Sequence, residues 1–226
     1  MTLLTKARKA ARSKPHRASE LRKGGLLGLP FSYRLFLRRE MGPAKLLINP
    51  LQFRLTVDRL AHQLVEEHGD FSGSAIIGIQ PRGVRLAVRL MDRIQDILGG
   101  VQPRYGELDT TFFRDDFRRH DQPLMAAETN LDFTVEGLRV VIVDDVLFTG
   151  RTIRAAMDAL LAHGRPETVE LAVLIDRRFS RELPIEAKYV GRSVDSLDSQ
   201  KVKVMWAEHD GGEDRVELLN PMEDHG

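Results

Sequence analysis

Cysteine is absent from the 226 residues. That removes disulfides, thiolate nucleophiles and cysteine-ligated zinc, and it fits a reducing compartment, the cytoplasm. Long apolar runs are missing as well. Nothing approaches the ~20 residues that a membrane-spanning helix needs, and the basic N-terminus lacks the apolar core of a secretory signal. No internal repeat or low-complexity tract interrupts the body of the chain. Net charge is nearly absent too, at +1, but the balance conceals an asymmetry. Residues 1–45 hold twelve lysines and arginines against Glu20 and Glu40, a local charge of +10. The remainder holds 22 basic and 31 acidic residues, or −9.

What is present divides into an arm and a body. Gly24, Gly25, Gly28, Pro30 and Gly42-Pro43 break any long helix in residues 1–45. This basic extension reads as an arm for RNA or for the acidic body of a neighbouring subunit, or as a solvated tail. Met41 offers an alternative start. The body is expected over 46–206, with 207–226 as a C-terminal tail. Leu55, Leu60, Leu64 and Val65 recur at helical spacing. Ala75–Ile79, Arg139–Val143 and Val169–Ile175 are short, apolar and β-branched, the mark of buried strands. Val84–Leu98 and Thr152–His163 read as helices, each stopped by glycine. Leu108–Phe113 reads as a further strand, followed by the polar stretch Arg114–Gln122 as a lid-like loop. Strands alternating with helices predict an α/β fold with a mostly parallel sheet.

The chemistry concentrates in Val140–Thr152. Four apolar residues lead into Asp144-Asp145, then a short loop, Thr149-Gly150-Arg151-Thr152, and a helix start. Ligands of parallel sheets bind beyond the carboxyl ends of strands. The N–H groups of a helix N-terminus lack partners and carry positive partial charge, so this turn forms a phosphate cradle. Two adjacent carboxylates repel phosphate but accept hydrogen bonds from sugar hydroxyls.

This segment resembles the signature of type I phosphoribosyltransferases, which bind 5-phosphoribosyl-1-pyrophosphate (PRPP). More narrowly, residues 52–205 resemble the PyrR family, bacterial pyrimidine-operon attenuators with uracil phosphoribosyltransferase activity. The matching stretches are Gly78–Gly83, Gly106–Asp116, Val141–Leu160, Gly164–Pro166, Leu171–Arg177 and Arg181–Ile185. The resemblance implies a type I phosphoribosyltransferase fold with a flexible loop or hood, and the reaction of uracil with PRPP to give UMP and pyrophosphate. It casts Arg82, Arg114 and Asp145 as the catalytic residues. Pro81, Arg82, Arg114, Asp144, Asp145, Val146, Leu147, Phe148, Thr149, Gly150, Arg151 and Thr152 would bind PRPP, with Asp115 and Arg118 on the mobile loop. Asp176, Arg177 and Arg181 would serve the base and pyrophosphate side. Mg2+ would come mainly with PRPP, with Asp176 as the candidate protein ligand. Leader RNA of a pyrimidine operon would meet His62. A homo-oligomer is expected.

Four departures stand out. The family's Lys-Thr in the pyrophosphate loop is Gln80-Pro81, which loses a cationic donor; proline lowers the cost of a cis bond, and Gln80–Pro81 is expected to be cis. The usual Tyr of the phosphate loop is Phe148, and the usual Gly-His before Arg181 is Phe179-Ser180. Asp58 replaces a threonine on the RNA-facing helix. Two other readings stay open: a non-catalytic UMP-sensing attenuator, and a transferase for another base.

Overall fold

The computed structural model describes residues 44–113 and 128–220. The basic arm, and Arg114, Asp115 and Arg118 of the expected lid, lie outside these residues. In chain order the elements are β1 (Lys45–Ile48), α1 (Pro50–His68), β2 (Ser74–Ile79), α2 (Arg82–Ile97), β3 (Arg104–Leu108), a 3-10 turn (Thr111–Phe113), β4 (Arg139–Leu147), α3 (Arg151–Leu161), β5 (Thr168–Arg178), β6 (Tyr189–Asp195), β7 (Lys201–Met205), α4 (Ala207–Asp210) and β8 (Arg215–Leu219). Five strands form a sheet in the order β3-β2-β4-β5-β6, with every neighbouring pair parallel. The α/β expectation therefore holds. Among the described residues no helix is long and apolar enough to cross a membrane.

Alternation along the strands builds two cores. Ile76, Val141, Val143 and Leu174 face α1 and α2, while Ile77, Val140, Ile142 and Val173 face α3. Helix α1 starts one residue before the expected apolar pattern because Asn49 caps it. Its side chain accepts from Gln52 N–H at 2.8 Å, and Gln52 Oε1 accepts from Asn49 N–H at 3.1 Å, a reciprocal capping box. The core face of α1 carries Phe53, Val57, Leu60, Ala61 and Leu64. Leu55, counted on that face in the sequence, points outward.

Two element expectations need correction. The strand expected at Leu108–Phe113 ends at Leu108. Asp109 Oδ1 accepts from Thr111 N–H at 3.0 Å and Thr111 Oγ at 2.6 Å, and this side-chain turn competes with the sheet ladder. The stretch 207–226, set apart as a tail, contains β8, which pairs antiparallel with both β1 and β7. Strand β1 does not announce itself in sequence, because its partner β8 comes from the other end of the described chain, whereas β8 also pairs with the nearby β7. The fully buried Trp206, edge-on to Phe53 with ring centroids 5.7 Å apart, packs this second sheet into the α1 core.

At the amino ends of the strands, His68 is enclosed. Its Nδ1 lies 2.9 Å from Ser74 Oγ and its Nε2 lies 3.1 Å from Glu170 Oε2. A neutral ring with the proton on Nε2 satisfies both contacts. Burial pulls the His68 pKa down. Burial works against the Glu170 charge, but hydrogen bonds from Lys188 and Tyr189 outweigh it and hold that carboxyl at about 2. Both groups have folded pKa values below their unfolded ones, so both stabilise the fold above the unfolded values and lose that contribution as pH falls. The melting temperature of the native protein relative to His68→Gln should therefore shrink as pH drops below about 6.5. A difference that stayed flat from pH 8 to pH 5 would refute the assignment.

Candidate active site

Because the sheet is parallel, the carboxyl ends of β2, β3, β4 and β5 lie along one edge, where Ile79 pairs with Leu108 and Leu147 with Asp176. Gln80–Arg82, Asp144–Thr152, Asp176 and Arg181 lie at or just beyond those ends, so the residues expected for PRPP and for the base side gather there among the described residues, while His62 lies apart on α1. The Gln80–Pro81 bond is cis. Gln80 donates its amide to Glu107 Oε2 at 3.1 Å and to the Glu128 carbonyl at 2.9 Å.

Strand β4 runs further than the apolar run suggested, through Leu147. Asp144 and Asp145 are thus strand residues with side chains on opposite faces. Val146 and Leu147, expected in the phosphate loop, pair with Ile175 and Asp176, and the Leu147 side chain joins the α3 core. The free turn is only Phe148-Thr149-Gly150. Both aspartates are buried. Burial, with the adjacent Asp145 charge adding to it, pushes the Asp144 carboxyl well above the usual range. Burial also raises Asp145, against the pull of Arg82. Arg82 Nε donates to Asp145 Oδ2 at 2.6 Å, and its Nη2 donates to the Val204 carbonyl of β7 at 2.8 Å. Gly83 makes this contact possible. A Cβ there would stand 2.2 Å from the Val143 carbonyl oxygen, so only glycine lets the first turn of α2 rest on β4.

The turn itself is held from behind. Gly150 takes φ +91°, and a side chain there would press on Leu183 and Ile185. The Thr149 carbonyl accepts from Glu182 N–H at 3.0 Å and Leu183 N–H at 3.2 Å. The Phe148 carbonyl accepts from Arg181, which also pairs with Asp176. Arg151 forms an ion pair with Glu182, with Nε–Oε2 at 2.6 Å. Peptide planarity then aims the N–H groups of Thr149 and Gly150 away from these anchors, in front of the α3 N-terminus. Arg181, expected on the base side, therefore braces the phosphate turn together with the Glu182 and Leu183 backbone. Arg177 also departs from expectation. Its guanidinium turns inward over the Phe148 ring at 3.9 Å and donates to Ser196 Oγ at 2.8 Å and the Leu197 carbonyl at 3.0 Å. The chain entering the expected lid is tied to α3, since Arg154 donates to the Phe113 carbonyl at 3.3 Å.

Phe179 stands where the family has glycine, with φ +70° and 83% exposure. A non-glycine residue in this region costs about 1–2 kcal/mol. Phe179→Gly should raise the unfolding free energy by up to about 1 kcal/mol, after the extra chain entropy of glycine is subtracted; a loss of stability in urea titration would show that the phenyl ring is anchored.

Asp176 presents one carboxylate with an oxygen already taken by Arg181. A single carboxylate suits magnesium, which keeps waters and substrate phosphates as its other ligands. Sequence reasoning missed Val204, Glu107, Ser196 and Leu197. Two of these, Val204 and Leu197, act through backbone carbonyls, which leave no trace in residue identity.

A parallel sheet with an acidic pair on its central strand and a glycine turn leading into a helix defines a phosphoribosyltransferase. The phosphoribosyl transferase domain family matches residues 46–209. The fold agrees with the hypoxanthine phosphoribosyltransferase of Staphylococcus aureus, at a TM-score of 0.58 and 18% identity over 83% of this chain and 97% of that one. The Trypanosoma cruzi hypoxanthine phosphoribosyltransferase gives a TM-score of 0.59 at 16% identity, over 79% and 97% of the two chains. Within this class the chain belongs to the PyrR family. It is 43% identical to the bifunctional protein PyrR of Geobacter sulfurreducens over 74% of this chain and 93% of the relative. With bifunctional protein PyrR 2 of Lactiplantibacillus plantarum it shares 40% identity over 78% and 99%.

Proposed function

We propose that this protein transfers the 5-phosphoribosyl group of PRPP to uracil, releasing pyrophosphate and forming UMP, in the cytoplasm. The observation that carries the reading is the Asp144-Asp145 pair beside a braced N–H turn at the α3 N-terminus. The N–H groups of Thr149–Thr152 would take the 5′-phosphate, which the helix dipole favours. Asp144 and Asp145 would accept hydrogen bonds from the ribose hydroxyls. As the bond from the anomeric carbon to pyrophosphate breaks and a uracil nitrogen bonds to that carbon, positive charge grows on the ribose. The Asp145 carboxylate lies ready to balance that charge, and Arg82 and Arg114 would balance the pyrophosphate. Magnesium carried on PRPP would neutralise leaving-group charge, with Asp176 as its protein ligand.

The test is a panel of nucleobases with labelled PRPP. Turnover is expected with uracil. Turnover with a purine base alone would reassign the substrate, and none with any base would leave a UMP sensor.

Control of pyrimidine genes through RNA is the second part of the reading, favoured by one surface. A groove of about 370 Å³ between α1 and β6 is lined by Thr56, Arg59, Gly191 and Arg192 among others. His62 lies one helical turn beyond Arg59, exposed, with Nδ1 donating to the Asp58 carbonyl at 2.8 Å. Asp58, the expected repulsive acid, is engaged by Arg93 of α2, so its charge is balanced. Filter binding of pyrimidine-operon leader RNA, with and without UMP, checks this. RNA retention unchanged by UMP would remove the sensor role.

A further inference from the structure

The site contains a conflict that its pyrophosphate arginine resolves. Asp145 must be ionised to accept from ribose through both oxygens and to balance a cation-like ribose. Yet its side chain is 7% exposed, and the next carboxylate along the strand, Asp144, is buried as well. Burial by itself disfavours the charged form of a carboxyl group. Asp144 accepts from the Asp145 N–H at 2.9 Å, a bond that offers it no full charge. The only charged side chain facing Asp145 among the described residues is Arg82 from α2; its own strand adds the Val146 N–H, and β7 presents only the Val204 carbonyl, which is occupied by Arg82. Arg82 is therefore the cation on which Asp145 depends.

We propose that Arg82 is a positioning residue for Asp145 as well as a pyrophosphate donor: strung between the Asp145 carboxylate and the Val204 carbonyl, it keeps Asp145 charged and ready for ribose before any substrate arrives. This rests on the PRPP reading above. The placement uses three separate parts of the fold. Gly83 brings the first turn of α2 down onto β4. The Val204 carbonyl, supplied by the second sheet, fixes the far end of the guanidinium. The side chain of Arg82 stays 37% exposed, so the guanidinium meets the open side of the site while Nε holds the carboxylate. Burial raises the Asp145 carboxyl and Arg82 opposes that rise, consistent with the geometry.

The decisive probe is ribose 5-phosphate, which has the hydroxyls and the 5′-phosphate but neither pyrophosphate nor base. A pyrophosphate donor alone has no part in holding it. Calorimetric affinity is measured from pH 5 to pH 9 for the native protein, Arg82→Gln and Arg82→Lys, with melting curves at each pH to confirm folding. Native affinity should fall only at the acid end. In Arg82→Gln the midpoint of that fall should move up by about one pH unit or more, with affinity recovering toward the native value in alkali. Arg82→Lys should lie between the two. Superimposable profiles for all three would overturn the inference and leave the transferase reading standing. Failure of the native protein to bind ribose 5-phosphate at any pH would strike the reading beneath it. If Arg82→Gln does not fold, Arg82→Lys and Asp145→Asn keep the question open to refutation: in Asp145→Asn the acid fall must shrink to the part that the phosphate's own second pKa of about 6 imposes, and a fall as large as the native one would assign it to another group.

Discussion

Asp145→Asn is expected to lower kcat/KM for PRPP by about 100- to 1000-fold, the usual cost of removing one preorganised charge from a reacting centre. Most of the loss should fall on kcat. The carboxylate interacts with ribose hydroxyls in the ground state and with a more positive ribose in the transition state, so its charge matters most where the bond to pyrophosphate is breaking. Asparagine has the same shape and can still accept from Arg82 and from one hydroxyl. The fold should therefore survive and its unfolding free energy should stay the same or rise, since burying a carboxylate beside another is unfavourable. Steady-state kinetics with uracil and labelled PRPP, beside urea titration, decides the matter. A drop in stability with an unchanged kcat would mean that Asp145 is a structural counter-ion to Arg82 and nothing more.

Trp206→Ala should have the largest effect on stability, a loss of about 3–5 kcal/mol. The indole is fully buried, stands edge-on to Phe53, and carries the Arg89 guanidinium over its ring at 4.6 Å from the centroid. Removing it opens a cavity where the second sheet meets the α1 core. Trp206→Phe should cost much less, about 1 kcal/mol. It keeps most of the ring and deletes Nε1, a buried N–H with no hydrogen-bond partner, whose burial is itself unfavourable. Urea unfolding of the two variants measures the contrast, and equal losses would show that the cavity is not the cause. Loosening Trp206 should also weaken substrate binding, because the Val204 carbonyl that holds Arg82 lies two residues away on β7.

Much of this site was legible from order along the chain. Asp144, Asp145, Gly150 and Thr152 sit within nine consecutive residues, and their chemistry follows from the strand, turn and helix that this one stretch builds. Arg82 and the cis Gln80–Pro81 bond were legible because they too lie in one turn. Less was visible wherever a residue acts through a distant partner. Arg177 reads as a charge at a strand end, yet it folds inward over Phe148 because Ser196 and Leu197 arrive from the far side of β6 to receive it. Asp58 reads as a repulsive acid until Arg93 of the neighbouring helix pairs with it. Arg181 reads as a base-side group, yet it bonds the Phe148 carbonyl while Glu182 and Leu183 hold Thr149, so this segment braces the phosphate turn.

Local sequence thus determined the parallel-sheet class, the two aspartates and the glycine turn, since period, apolar runs and turn residues act over a few positions. Only the tertiary structure decided that β8 joins β1 in the body, that β7 supplies a carbonyl to Arg82, and that Arg82 closes on Asp145. Those are contacts between segments far apart in the chain, several of them made by backbone atoms that every residue type shares. The acidic pair at the head of the phosphate turn is written in the sequence; the cation that faces Asp145 was brought there by folding.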